Sequence, residues 1–337
     1  GLSISLLALM LIENPAEQIG LLMLIGVLVN SFAATQDVAV DGMSIDLTPV
    51  REQGRLNAFM SFGKAVGWGA TSAVSGVLLM SFGMQVTAIV AATVSAVILL
   101  AFVAVLEREG ERRLPWSAGK AATKRQHSGS FGAVFSGVNK VLWTRTSMVV
   151  MLIMLVDGLI SGFGHALMPI AAVNLFGYTT QQWSQLVAVM GLIGAVVALS
   201  LGPAIDRLGA KRILFMTISL VGLHAILIAQ TQSLWQDAIY VRVMLSVWVL
   251  MSPVVMVSII ALAMGICSRG NSATQFAIYM SVANLGHSAG SKIYGMISEQ
   301  SSYVNSYLTL AVMVAVMIFI LVFHRHRQDA DGQDGDK

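Results

Sequence analysis

Apolar runs of 18 residues or more recur from one end of this 337-residue chain to the other, at about 18–45, 54–81, 84–106, 147–176, 183–205, 211–230, 238–266, 273–297 and 303–323. A run of that length matches the hydrocarbon thickness of a bilayer when coiled into a helix. A lipid-exposed backbone must satisfy its own hydrogen bonds, so all nine runs are predicted to be transmembrane helices. Only 11% of the residues are charged, against roughly 25% in an ordinary soluble domain. The chain therefore reads as an all-α, polytopic membrane protein, and a typical soluble enzyme is excluded.

One long polar stretch interrupts the pattern. Glu107 to Arg145 carries Arg108, Arg112, Arg113, Lys120, Lys124, Arg125, Lys140 and Arg145 against Glu107, Glu109 and Glu111. It predicts a first helix bundle over 1–106, a linker over 107–146, a second bundle of six helices over 147–323 and a tail over 324–337. Inside the linker, Phe131, Val134, Phe135, Val138, Val141 and Leu142 follow helical spacing, which fits either a short helix on the membrane surface with Lys140 among the headgroups or a disordered linker.

Orientation follows from the basic residues. With the linker in the cytoplasm, 17 of the 20 Lys and Arg fall in loops or the tail on that side, among them Arg51, Arg55, Arg207, Lys211, Arg212, Arg269, Arg325 and Arg327. The opposite loops contain no Lys or Arg and carry Glu13, Glu17, Asp237 and Glu299. This is a strong positive-inside signal, and it puts the C-terminus in the cytoplasm.

The two bundles also share a register. Gly67 and Gly76 recur as Gly286 and Gly295 at an offset of 219 residues, and the spans around them fall into step. The second bundle has six spans and the first has three, preceded by the apolar run Leu2–Ile12, which is too short to cross. That run lacks a basic flank and a small-residue cleavage site. On a 6+6 plan, two spans and most of a third, about 70 to 75 residues, are expected to precede Gly1 in an intact chain.

Two resemblances are carried by particular residues. The loop Gly202-Pro203-Ala204-Ile205-Asp206-Arg207-Leu208-Gly209-Ala210-Lys211-Arg212 resembles the G-x-x-x-D-R-x-G-x-[RK]-[RK] signature of the major facilitator superfamily, whose 6+6 fold the repeat also resembles. An Asp ending one helix and cations starting the next can form a gating ion-pair network on the cytoplasmic face, with Gly209 making the turn. More narrowly, Gln36-Asp37-Val38-Ala39-Val40-Asp41 and Ser272-Ala273-Thr274-Gln275-Phe276-Ala277 resemble the Q-D-[IV]-x-x-D and S-A-T-Q-F-A segments of the family that groups muropeptide permeases with acetyl-coenzyme A transporters and some siderophore permeases. That resemblance implies a secondary active transporter of the inner membrane, importing a muropeptide-like or other polar organic solute with protons by alternating access. Acetyl-coenzyme A or a siderophore is the next cargo in line.

The charges left inside the spans form the candidate transport site. Asp37 and Asp41 are four residues apart and share one helix face. Two carboxylates on one intramembrane face cannot both ionise cheaply unless a cation is near, which suits a proton-coupling pair; a structural cap is the plainer role. Asp46, just beyond, is read as interfacial. Lys64 falls near mid-membrane, where it either lines the pathway and pairs with the acidic face or makes a structural pair. Asp157 lies at a similar depth in the first span of the second bundle, with His165 two turns further along nearly the same face. His287 and Lys292 are intramembrane too, although Lys292 can snorkel. Arg242 is either interfacial near Asp237 or a substrate-binding residue, and His224 is a hydrogen-bonded packing residue.

Gln36, Asn57, Gln275 and Asn284, with His287, are candidates to hydrogen-bond the solute, although amides also join helices in lipid. Gly63-xxx-Gly67, Gly158-xxx-Gly162 and Gly286-xxx-Gly290 read as close helix contacts. The single cysteine, Cys267, can form neither an intrachain disulfide nor a clustered metal site. No nucleotide-binding loop, H-E-x-x-H or G-x-S-x-G elbow occurs, so neither ATP hydrolysis nor a recognisable enzyme is indicated, and no cofactor or metal is expected. His324 and His326 read as cytoplasmic flank. The expected partners are a small solute, protons and the bilayer, with the protein as a monomer and no nucleic acid. Two other classes remain open: a non-transporting membrane receptor, marked by binding without flux, and an intramembrane enzyme, marked by turnover without transport.

Overall fold

The structure is a computed structural model that describes residues 1–15, 17–105, 110, 116–119, 137, 139–267 and 272–323. Most of the basic linker, the helical pattern at Phe131, Val134, Phe135 and Val138, Arg269 and the tail with His324 and His326 lie outside the described residues. Among the described residues there are helices and turns and no strands.

A short helix α1 (Leu2–Ala8) precedes α2 (Ile19–Leu47). The helical stretch Gln53–Ala104 breaks at Gly83, whose φ of 78° is open to glycine and strained for other residues. It is therefore two helices, α3 (53–82) and α4 (84–104). Then follow α5 (Arg145–Ile170), continued by a π-helical turn at Ala171–Leu175, and α6 (Thr180–Leu208). The remainder are α7 (Ala210–Gln230), α8 (Ala238–Met264), α9 (Ser272–Ser298) and α10 (Tyr303–Phe323).

The starts are set by local chemistry. Thr144 caps α5 by accepting from the Ser147 N–H. Thr179 and Gln182 form a reciprocal capping box on α6. Asp237 caps α8, accepting from the N–H groups of Ile239 and Tyr240. That cap is a sufficient reason for the acidic residue, and Arg242 is exposed one turn on.

Among the described residues, seven helical stretches are long and apolar enough to cross a membrane on their own. Helix α9 is not among them, which departs from the span expected at 273–297. The reason is polarity: α9 carries Ser272, Gln275, Asn284, His287, Ser291 and Lys292. Such helices are held by their neighbours.

The chain divides into two compact units, residues 1–43 with 67–129, and residues 44–66 with 130–337. In the first, Ser3 Oγ donates to Ser95 Oγ (2.9 Å), tying α1 to α4. Most apolar side chains of α2 and α4 face outward, as lipid-facing surfaces do. In the second unit α5 lies along α9, α7 along α10 and α6 along α8. Its core includes Phe163, Tyr294 and Tyr307, with Phe163 and Tyr294 edge to face at 5.3 Å.

Glycines set the α5–α9 approach. A Cβ on Gly158 or Gly162 would overlap the backbone of Ala283 or His287, and one on Gly286 or Gly290 would overlap that of Leu155 or Leu159. Two of the three small-residue motifs are thus contacts between one pair of helices. The third is not: a Cβ at Gly63 or Gly67 meets nothing within 4 Å.

Candidate functional site

The α5–α9 contact shapes a cavity. Helices α5, α7, α8 and α9 of the second unit enclose a space of about 250 Å³. Its polar wall is Asp157, Ser161, His165, Ser252, Asn284 and His287; the rest is apolar, with Trp248 and four methionines, Met154, Met251, Met256 and Met280.

Each polar group has a local reason to be there. Asp157, Ser161 and His165 are spaced four apart on α5 and so share a face. Ser161 Oγ donates to the Gly158 carbonyl (3.1 Å). His287 Nε2 lies 3.4 Å from His165 Nδ1, with ring centroids 5.4 Å apart, so one imidazole donates to the other across the α5–α9 seam. Ser291 Oγ donates to the Gly162 carbonyl (3.0 Å) one turn on. Asp157 has no hydrogen bond or ion pair among the described residues.

Trp248 stands against Gly164, where a side chain would occupy the same space as the indole. Behind it is His224, buried, with Nε2 2.9 Å from the Met244 carbonyl and its ring 6.1 Å from that of Trp248. His224 is the packing residue its sequence context indicates.

The remaining candidates lie elsewhere. Gln36 and Asp37 are exposed on α2, whereas Asp41 is 4% exposed. Lys64 is exposed on α3. Asn57 is buried and donates to the Gln53 carbonyl (2.8 Å), with its Oδ1 unpartnered. Gln275 is buried and donates to Tyr279 Oη (2.6 Å), which in turn contacts Ser147 Oγ at 2.7 Å. That chain joins α9 to the start of α5. Ser272, which opens the same short motif, donates to Asp46 Oδ1 (2.6 Å). Gln275 and Asp46 are thus engaged with neighbouring helical segments, Asn57 bonds within its own helix, and none of the three is on the cavity wall.

The signature loop forms a second constellation. Gly209, at φ 86°, makes the turn between α6 and α7 as expected. Asp206, however, pairs with the start of α3. Its Oδ1 accepts from the Gly54 N–H (2.8 Å) and its Oδ2 lies 3.0 Å from Arg55 Nε. The carboxylate is 4% exposed and sits at a helix N-terminus, where free N–H groups and the helix dipole favour negative charge. Small residues permit the approach: a Cβ on Gly202 would come 2.9 Å from Arg55 Cα, and one on Gly54 would come 2.8 Å from Ile205 Cγ2. Arg207 and Arg212 are exposed.

Sequence reasoning missed Trp248, Ser161, Ser252 and the Gly54–Arg55 partner of Asp206. Ser161 was the most accessible of these, since it lies midway between Asp157 and His165 on one helix face. The others depend on contacts between distant segments.

A family model for the Major Facilitator Superfamily matches residues 1–291. The chain belongs to that superfamily, and with its apolar helices it is a multi-pass membrane protein of the secondary-transporter class, acting on small solutes. None of the curated proteins compared with it matches.

Proposed function

We propose that the protein is a proton-coupled secondary transporter that moves a polar organic solute by alternating access, with the α5–α9 cavity as its solute site. The carrying observation is Asp157, an ionisable group on the wall of a largely apolar cavity and without a partner among the described residues. Intramembrane ionisable groups are costly, and such a carboxyl is stabilised by a proton or by a cationic group of the cargo. Asn284 and His287 supply hydrogen bonds to the solute, with His165 beside them. Asp37 and Asp41 are the further proton-coupling groups, and Lys64 is a candidate charge on the pathway.

The Asp206 clasp supports a gating role for Gly202, Asp206, Arg207, Gly209, Lys211 and Arg212. A pair that joins two helix ends through one carboxylate can be made and broken as a unit, which is what a gate between two states requires. The positive-inside pattern supports a cytoplasmic position for this loop, for the linker and for the C-terminus of a protein in the inner membrane. The Q-D-V-A-V-D and S-A-T-Q-F-A segments favour import of a muropeptide-like solute, ahead of acetyl-coenzyme A or a siderophore, by a monomer. This choice of cargo rests on analogy.

The test is proton-driven uptake of radiolabelled anhydro-muropeptide into membrane vesicles, with Asp37, Asp41 and Asp157 changed singly to Asn. Loss of gradient-driven accumulation in at least one variant is expected. Undiminished coupling in all three sinks the assignment, and saturable binding without flux in the wild type favours a receptor.

A further inference from the structure

The chemistry of the cavity wall bears on the cargo's charge. We infer that the α5–α9 cavity binds an organic ammonium group, seated against Asp157 with an apolar body reaching toward Trp248. The inference rests on the reading of this cavity as the solute site and narrows what the site accepts.

Charge comes first. The ionisable groups on the wall are Asp157, His165 and His287, and neither Lys nor Arg is among the lining residues. The two imidazoles satisfy each other at 3.4 Å. Asp157 is therefore the one lining group able to carry negative charge, and no fixed cation accompanies it. An anionic group finds no fixed cation there, so any carboxylate or phosphate of the proposed cargo is placed outside this cavity, where its charge stays solvated. A cation meets the one group that lacks a partner.

Shape follows from the helices. Trp248 packs on Gly164, seven residues from Asp157 along α5, which is about 10 Å at about 1.5 Å rise per residue. Helix α8 enters this contact at Trp248 and continues through Met251, Ser252, Val255 and Met256 along the wall. Asp157 and the Gly164–Trp248 contact are thus about two helical turns apart along α5, and both Asp157 and Trp248 line the one cavity. Aromatic faces attract cations and stack on flat apolar groups. The four methionines are unbranched and polarisable, suited to bodies of varied outline. With the cargo's charge held at Asp157, the coupling proton falls to the Asp37 and Asp41 carboxyls.

Equilibrium binding without any gradient tests this separately from transport. The protein is reconstituted in lipid nanodiscs at pH 8 and titrated by calorimetry with benzyltrimethylammonium, 4-phenyl-1-butanol and phenylacetate, subtracting empty nanodiscs. The ammonium compound is expected to bind saturably at one per protein, at least tenfold tighter than the neutral and anionic probes. Asp157→Asn is expected to weaken it at least tenfold with the neutral and anionic probes unmoved, and Trp248→Leu to weaken it several-fold. Equal binding of the alcohol, tighter binding of phenylacetate, or no saturable binding of the cation overturns the proposal. So does unchanged cation affinity in an Asp157→Asn protein that keeps its melting temperature. If that variant does not fold, the comparison of probes on the wild type decides. Should the cation fail to bind while uptake remains proton-driven, the cargo assignment falls and the transporter reading stands; the converse result removes the transporter reading alone.

Discussion

Replacing Asp206 tests how the signature loop is held. Its carboxylate makes two contacts of different worth: a hydrogen bond from the buried Gly54 N–H at 2.8 Å and an ion pair with Arg55 at 3.0 Å. Arg55 is 56% exposed, so the ion pair contributes about 0–1 kcal/mol after screening. Leaving the Gly54 N–H without an acceptor costs about 1–3 kcal/mol, and removing the charge at the α3 N-terminus costs about 0.3–1 kcal/mol more. Asp206→Asn keeps an acceptor oxygen and loses the charge, so it should cost about 1 kcal/mol. The expected order of destabilisation is Asp206→Ala, then Asp206→Asn, then Arg55→Gln, with a coupling between positions 206 and 55 below about 1 kcal/mol in a double-mutant cycle. Thermal unfolding of the purified protein in one detergent reads all of these. If Arg55→Gln is as damaging as Asp206→Ala, the surface ion pair and not the backbone hydrogen bond holds the loop, and the reasoning fails.

Further outcomes follow from the same geometry. Gly162→Leu pushes a side chain into the His287 backbone and should cost about 1–3 kcal/mol as overpacking; Gly63→Leu, with nothing within 4 Å, should stay within about 0.5 kcal/mol. Equal melting temperatures for the two variants contradict the α5–α9 contact. Burial pushes the Cys267 thiol up to about 12, with the Asp46 carboxylate adding to the shift. Because the thiolate is the nucleophile, its labelling by N-ethylmaleimide should climb about tenfold per pH unit from pH 7 to 9, and a plateau in that range contradicts the burial. Asp37→Asn or Asp41→Asn should abolish gradient-driven accumulation of anhydro-muropeptide yet spare its counterflow exchange, whereas Asp157→Asn should lose both. Retained counterflow in Asp157→Asn removes that residue from the solute site.

Much of the fold was legible because the bilayer leaves few choices. The helices beyond residue 145 start and stop at Thr144, Thr179, Gly209 and Asp237, residue types whose capping or turning chemistry is local. What was not legible depends on pairing across the chain. Helix α9 looks like an ordinary span in sequence, but its polar residues and glycines are explained only by α5 lying against it. Asp206 was expected to gate with the cations of its own loop, and its observed partners are at the start of α3. Gln275 had two readings, solute ligand or helix joiner; its bonding to Tyr279, and through it to Ser147, matches the second. Asp157 and His165 were found together because their spacing along one helix is enough to put them on one face. His287 joined them only when the α5–α9 seam set its position.

The most direct test of coupled transport is the movement of the proton itself. The purified protein is reconstituted in sealed liposomes containing a pH-sensitive dye, and anhydro-muropeptide is added outside with no gradient imposed. The account predicts acidification of the lumen that follows solute entry, saturates with solute and disappears when Asp37 and Asp41 are both changed to Asn. Solute entry with no change in lumen pH, or the same acidification in the double variant, contradicts it.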